Sequence, residues 1–111
     1  MVIVQINYRR PDMPKADWDA RYTAATAAPF VVMPGLEWKV WLDDPSDAQL
    51  SGGIYLFADR AAAQAYLDGP IVAGMRANKA LQDLTVRVFD VRQNMSALTR
   101  APLPTRDMAA E

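Results

Sequence analysis

The sequence contains no cysteine and no histidine. Without cysteine there is no disulfide framework, no thiolate nucleophile and no sulfur-ligated metal. Without histidine, both the commonest metal ligand and the usual general base near neutral pH are missing. Charge of one sign is lacking too: 12 Lys and Arg stand against 13 Asp and Glu, for a formal net charge of −1. The cations are scattered rather than clustered, so nucleic acid has no electrostatic footprint to find. The longest apolar run, Ala27 to Met33, is far too short to span a bilayer, and no basic region followed by an apolar core opens the chain. These absences lead to the expectation of a cytoplasmic protein that engages neither nucleic acid nor membrane. At 111 residues the chain reads as one domain that buries about two-thirds of its unfolded surface and needs no staple.

What is present is concentrated between Pro34 and Asp59. Pro34 to Trp41 and Gly52 to Asp59 are short, aromatic and branched segments bounded by Gly, Pro and Asp, which predicts a pair of antiparallel strands. The loop from Asp43 to Asp47 carries three carboxylates, but it lacks the spaced ligand series and the tight-turn glycine of a calcium loop. It reads as a solvated hairpin tip, and no metal site is expected. Residues 1–8 alternate Val2, Val4, Ile6 and Tyr8 against Ile3, Gln5 and Asn7, another strand. From Pro14 a helical stripe of Trp18, Tyr22, Ala25 and Ala28 follows, expected to kink or stop just before Pro29 and to supply core side chains rather than ligand contacts. Gly52 opens the third strand, apolar on both faces and therefore covered on both. Asp59 is placed to cap a helix over 60–68, Gly69-Pro70 to close it, and a second helical piece to cover 71–82. A last strand spans 84–92, with Leu84, Val86 and Val88 on one face and Arg87 and Phe89 on the other.

The order strand, helix, strand, strand, helix, strand predicts an α+β protein of ferredoxin-like βαββαβ form, a four-stranded antiparallel sheet with its helices on one face. Residues 1–92 make that domain. The tail, 93–111, holds two prolines and little periodicity, and is expected to be mobile or docked on a partner subunit. With the second sheet face apolar and uncovered, a homodimer packed face to face is the expected assembly, a dimeric α+β barrel.

Three segments, Gly35-Leu36-Glu37-Trp38-Lys39-Val40-Trp41, Ser51 to Asp59 and Val86 to Val91, with Ala65-Tyr66-Leu67 between the last two, resemble the bacterial YdhR family of monooxygenases, within the dimeric α+β barrel superfamily. The resemblance runs from about Pro34 to about Leu103. It implies the same fold and dimer, a cavity between sheet and helices, and oxidation of a small aromatic substrate, a polycyclic phenol or anthrone, with no metal, flavin or other cofactor. Such chemistry asks the protein for a dry apolar pocket, an orienting hydrogen bond and charge stabilisation. Trp38 or Trp41 would form the wall, with Tyr55, Phe57 and Tyr66 nearby. Asn7 would hold a substrate oxygen, and Lys39 or Arg87 would stabilise the oxyanion. Three other functions remain open on these residues. Haem degradation is disfavoured by the missing axial histidine. An isomerase would need Asp90 or Tyr55 as acid or base. A non-catalytic binder of a hydrophobic small molecule could use the same cavity.

Overall fold

The computed structural model describes residues 1–104. Strands β1 (Val2–Arg9), β2 (Leu36–Asp44), β3 (Asp47–Phe57) and β4 (Gln82–Asp90) form one antiparallel sheet in the order β2-β3-β1-β4. Helices α1 (Lys15–Asp19) and α2 (Ala24–Val31) join β1 to β2, while α3 (Arg60–Leu67) and α4 (Pro70–Ala77) join β3 to β4. This is the expected ferredoxin-like arrangement, with each crossover helix broken in two.

Local chemistry explains the breaks. The stripe from Pro14 stops at Asp19 and restarts because Thr23 begins a new helix: its backbone N–H donates to Thr26 Oγ1 at 3.2 Å, half of a reciprocal capping box. Pro29, expected to end the helix, sits inside α2, and the helix continues for two residues beyond it. Asp59 caps α3 as expected, accepting from the Ala62 N–H at 2.8 Å. Gly69 lies immediately before α4 and Pro70 is its first residue, so the pair starts a helix as much as it closes one. That helix ends at Ala77, five residues short of the expected boundary, because Asn78 is extended. Strand β3 begins at Asp47, five residues ahead of Gly52.

Val2, Val4 and Ile6 of β1 and Tyr55 and Phe57 of β3 meet Ala63 and Tyr66 of α3 and Val72 of α4 in the core. Phe30, Met33, Leu36, Leu84 and Val86 close around them. Full burial of each large side chain is worth ~1.5–3 kcal/mol, against ~0–1 kcal/mol for an exposed ion pair. Packing between sheet and helices therefore outweighs the pairs of Arg9 with Asp47 and Arg60 with Asp90 at the surface. At the start of β2, Gly35 adopts φ +77°, and a Cβ there would stand 2.3 Å from the Ala62 Cβ of α3, so only glycine fits.

The pairing of β2 with β3 breaks register at the start of β2. Leu36 lies opposite Phe57 but Trp38 lies opposite Leu56, so Glu37 is an extra residue, a β-bulge. Beyond it, Lys39 pairs with Tyr55 and Trp41 with Gly53, on the side that carries the core and helices. Trp38 and Val40 turn to the opposite side. Leu36, Trp38 and Val40 do not share a face, as strict alternation would have them do; the bulge sends Leu36 inward and the other two outward.

Beyond β4 the chain forms α5 (Gln93–Leu98), within the segment expected to lack periodicity. Trp38 Nε1 donates to the Pro102 carbonyl at 2.8 Å, and Leu56 is fully buried although it points away from the core cluster. The chain after β4 thus crosses the second sheet face from the β4 edge to β2. Val40 and Phe89 on that face are each 48% exposed. Residues 105–111, the rest of the expected tail, lie outside the described residues.

Candidate functional site

The side of β2 that faces the helices brings a lysine among aromatic rings. Lys39 Nζ lies 3.3 Å from the centre of the Trp41 ring, 3.7 Å from that of Phe30 and 4.7 Å from that of Tyr55. Each such contact is worth ~0.5–1 kcal/mol when exposed and ~2 kcal/mol when desolvated. Phe30 stands edge-on to Trp41 at 5.5 Å, and Tyr22 does the same from the other flank at 5.8 Å. Gly53 makes the space: a Cβ there would be 3.1 Å from Lys39 Cε. Among the described residues no carboxylate is paired with Lys39. Burial pushes its ammonium down from 10.5 to about 7, while the ring faces resist by favouring the cation.

Two hollows flank Trp41 beneath α2. One, of about 370 Å³, is lined by residues including Tyr22, Thr26, Trp41 and Asp43, and the other, of about 220 Å³, by residues including Phe30, Glu37, Trp38, Lys39 and Trp41. They share Ala27 and Trp41. The polar wall of the larger is held by Arg10, which is buried and donates from Nε to the Ala48 carbonyl at 2.9 Å and from a terminal nitrogen to the Tyr22 hydroxyl at 3.2 Å. Its other terminal nitrogen is 3.6 Å from Asp43, and its guanidinium lies over Trp18, 4.6 Å from the ring centre. A buried guanidinium with these partners fixes both Tyr22 and Asp43 at the cleft. A third hollow, an apolar groove of about 530 Å³ between the end of α2 and α3–α4, is lined by residues including Met33, Ala62, Tyr66 and Ile71.

The sequence-predicted residues separate into two sets. Lys39, Trp41, Tyr55, Phe57 and Tyr66 are on the helix side. Of these, Tyr55 and Phe57 are core residues, 3% and 0% exposed, with Tyr66 packed on both. Tyr66 donates its hydroxyl proton to the Tyr55 oxygen at 3.0 Å. Burial, with Tyr66 alongside, drives the Tyr55 pKa far up, so Tyr55 stays a neutral phenol. Asn7 and Arg87 lie on the second face, and Trp38, bonded there to Pro102, also borders the smaller hollow beside Lys39. Asn7 accepts from Gln5 Nε2 at 3.0 Å and lines a separate hollow with Leu42 and Ser51, and Arg87 is exposed opposite Gln5. One chain therefore does not bring Asn7 or Arg87 to Lys39. Asp90, the acid that an isomerase would use, is exposed and paired with Arg60. Tyr22 and Phe30 also line the hollows, though the sequence pattern does not mark them as site residues. The helical stripe places Tyr22 in the core, but it is 37% exposed and lines the cleft. The signal for it was Thr23 with Thr26, a helix start that leaves Tyr22 in the connection between helices.

Comparison with known proteins agrees with this architecture. The chain superposes on a "putative antibiotic biosynthesis monooxygenase" from Deinococcus radiodurans with a TM-score of 0.66 at 17% identity, covering 82% of this chain and 92% of that one. SnoaB, a cofactor-independent oxygenase from Streptomyces nogalater, superposes with a TM-score of 0.60 at 22% identity over 83% and 94% of the two chains. The heme-degrader MhuD from Mycobacterium tuberculosis, with two hemes bound in its active site, gives 0.54 at 23% identity over 81% and 95%. At these identities the likeness establishes the fold. None of the curated proteins matches the chain. The profile of the family described as "Putative mono-oxygenase ydhR" matches residues 3–102, and on that match over nearly the whole sequence the chain belongs to the YdhR family.

Proposed function

We propose that this protein is a monooxygenase that needs no cofactor and oxidises a small, electron-rich aromatic compound, a phenol, hydroquinone or anthrone, in the cleft between α1–α2 and β2. The observation that carries the reading is Lys39 Nζ held against the faces of Phe30, Trp41 and Tyr55 at the floor of a hollow under α2. Family membership and the fold shared with a cofactor-independent oxygenase support it.

The chemistry asks little more of the protein. The neutral form of Lys39 takes the acidic proton of the substrate, and the resulting ammonium holds the substrate anion in a site of low polarity. The anion passes one electron to dioxygen. Substrate radical and superoxide then combine, the ammonium returns its proton, and loss of water from the hydroperoxide leaves a carbonyl, so that one oxygen atom enters product and one enters water. Trp41 and Phe30 supply the apolar wall, and Tyr22 supplies a hydroxyl at its edge. Tyr55, Phe57 and Tyr66 support the floor from within the core.

The same reading places the protein in the cytoplasm as a homodimer whose second sheet faces meet. Exposed Val40 and Phe89 on that face, with Met95 at 63% and Leu98 at 74% exposure on α5, support the contact. Residues 1–92 then form the domain and the segment from 93 contributes to the interface. In such a dimer, Asn7, Trp38 and Arg87 belong to the interface rather than to the chemistry.

Oxygen uptake tests the function. The wild-type protein should consume one dioxygen per anthrone or hydroquinone oxidised, and Lys39→Met should lose at least tenfold of that rate while still folding. Tight binding with no oxygen consumed would overturn the oxygenase in favour of a binding protein. Sedimentation at micromolar concentration tests the dimer independently.

A further inference from the structure

We propose that Lys39 is also a covalent site: its side-chain amine captures single-ring aromatic aldehydes that enter the hollow under α2, forming a reversible imine. The step is balanced without a redox partner. The amine nitrogen adds to the aldehyde carbon, the carbinolamine loses water, and a carbon–nitrogen double bond joins Lys39 to the ligand. This capture needs no dioxygen and stands whether or not the oxygenase reading holds.

Geometry supports each stage. The hollow of about 220 Å³ takes one aromatic ring: Ala27, Phe30, Leu36, Trp38 and Trp41 in its lining offer faces and edges for stacking beside the amine, and Glu37 borders the same hollow. No carboxylate among the described residues is paired with the nitrogen, so the attacking lone pair is not tied up in a salt bridge. Burial lowers the proton affinity of Lys39, which raises the share of free amine at neutral pH. The product is favoured by the same rings. A protonated imine is a delocalised cation, and at 3.3, 3.7 and 4.7 Å from Nζ the faces of Trp41, Phe30 and Tyr55 accommodate it as they do the ammonium. Partial exclusion of water by α2 slows hydrolysis.

The sequence makes the claim sharply testable, because the chain has only two other lysines, Lys15 and Lys79, both exposed. Intact protein is incubated with benzaldehyde at neutral pH in the absence of oxygen, reduced with borohydride, digested and mapped by mass spectrometry. Labelling at Lys39 is expected to exceed that at Lys15 and Lys79 by about tenfold or more, because among the described lysines only Lys39 is held against ring faces that stack on the ligand. Butyraldehyde, which lacks a ring, should label Lys39 with less preference. Lys39→Arg, verified as folded by circular dichroism, should leave only the weak surface labelling. Label distributed evenly over the three lysines, or favouring Lys15 and Lys79, would overturn the proposal, as would equal preference for the two aldehydes. Wild-type protein that labels at Lys39 yet consumes no oxygen with anthrone or hydroquinone would refute the oxygenase and leave the capture site standing.

Discussion

Lys39→Met should stabilise the protein in acid and lose that advantage as the pH rises. Below about pH 7 the wild-type lysine is charged in both folded and unfolded chains, and the folded state bears the whole cost of holding an ammonium away from water. Between about 7 and 10.5 the unfolded chain keeps the proton that the folded chain has lost. Where the unfolded state binds more protons, stability increases with pH, so the wild type recovers through this window. Taken whole, the displacement from 10.5 to about 7 corresponds to about 5 kcal/mol at ~1.4 kcal/mol per pH unit. The three ring faces return part of this and the open mouth of the hollow screens more, leaving roughly 2 kcal/mol.

Methionine keeps an unbranched chain in the same box and adds its own contacts with the rings, which contribute equally at every pH. The pH dependence of the difference between the two proteins therefore isolates the amine. Urea unfolding at matched protein concentration, near pH 6 and near pH 10, measures it. The variant should be more stable by roughly 2 kcal/mol at the lower pH, with most of that gain gone at the higher. A difference that stays level between the two conditions would show that the ammonium is not desolvated, and the basis for Lys39 as a base would go with it.

Three further substitutions probe the frame around the site. Gly35→Ala forces a side chain into a positive-φ position and against Ala62, and should cost about 3 kcal/mol; thermal unfolding within a degree of wild type would contradict the close approach of β2 to α3. Asp59→Ala removes the acceptor for the Ala62 N–H and should cost about 1 kcal/mol in denaturant unfolding, with the loss restored by Asp59→Ser. Trp38→Phe removes the hydrogen bond to Pro102; hydrogen exchange in residues 93–101 should quicken by about fivefold, and unchanged protection there would mean that other contacts hold the crossing segment.

The fold was legible because its signals are local and mutually consistent. Alternation in β1, the Asp59 cap and the Gly-Pro pair at 69–70 each mark an element without reference to any other. The site was harder to read, because cation–π contacts link α2 to β2 and β3, and periodicity carries no record of which ring ends above which amine. Phe30 lies within the apolar run from Ala27 to Met33, and nothing in that run marks it as one wall of the box. Asn7 and Arg87 were chosen for their chemistry alone, and their positions on β1 and β4 place them across the sheet from Lys39. Arg10 follows the alternating run of β1, and nothing in the sequence shows that it is buried against Trp18, Tyr22 and Asp43.

The bulge at Glu37 decides which side chains of β2 face the helices. In an unbroken strand, a Leu36 packed into the core would draw Trp38 and Val40 in behind it and turn Lys39 and Trp41 to the second face. The extra residue lets Leu36 remain against the core while Lys39 and Trp41 share its side. It also frees Trp38 to bond with Pro102 on the far side, so one inserted residue serves both the cleft and the strap that crosses the opposite face. Bulges recur where a side chain must be re-aimed. Here the side chain re-aimed is a lysine, carried under α2 to the one place among the described residues where three ring faces surround an amine.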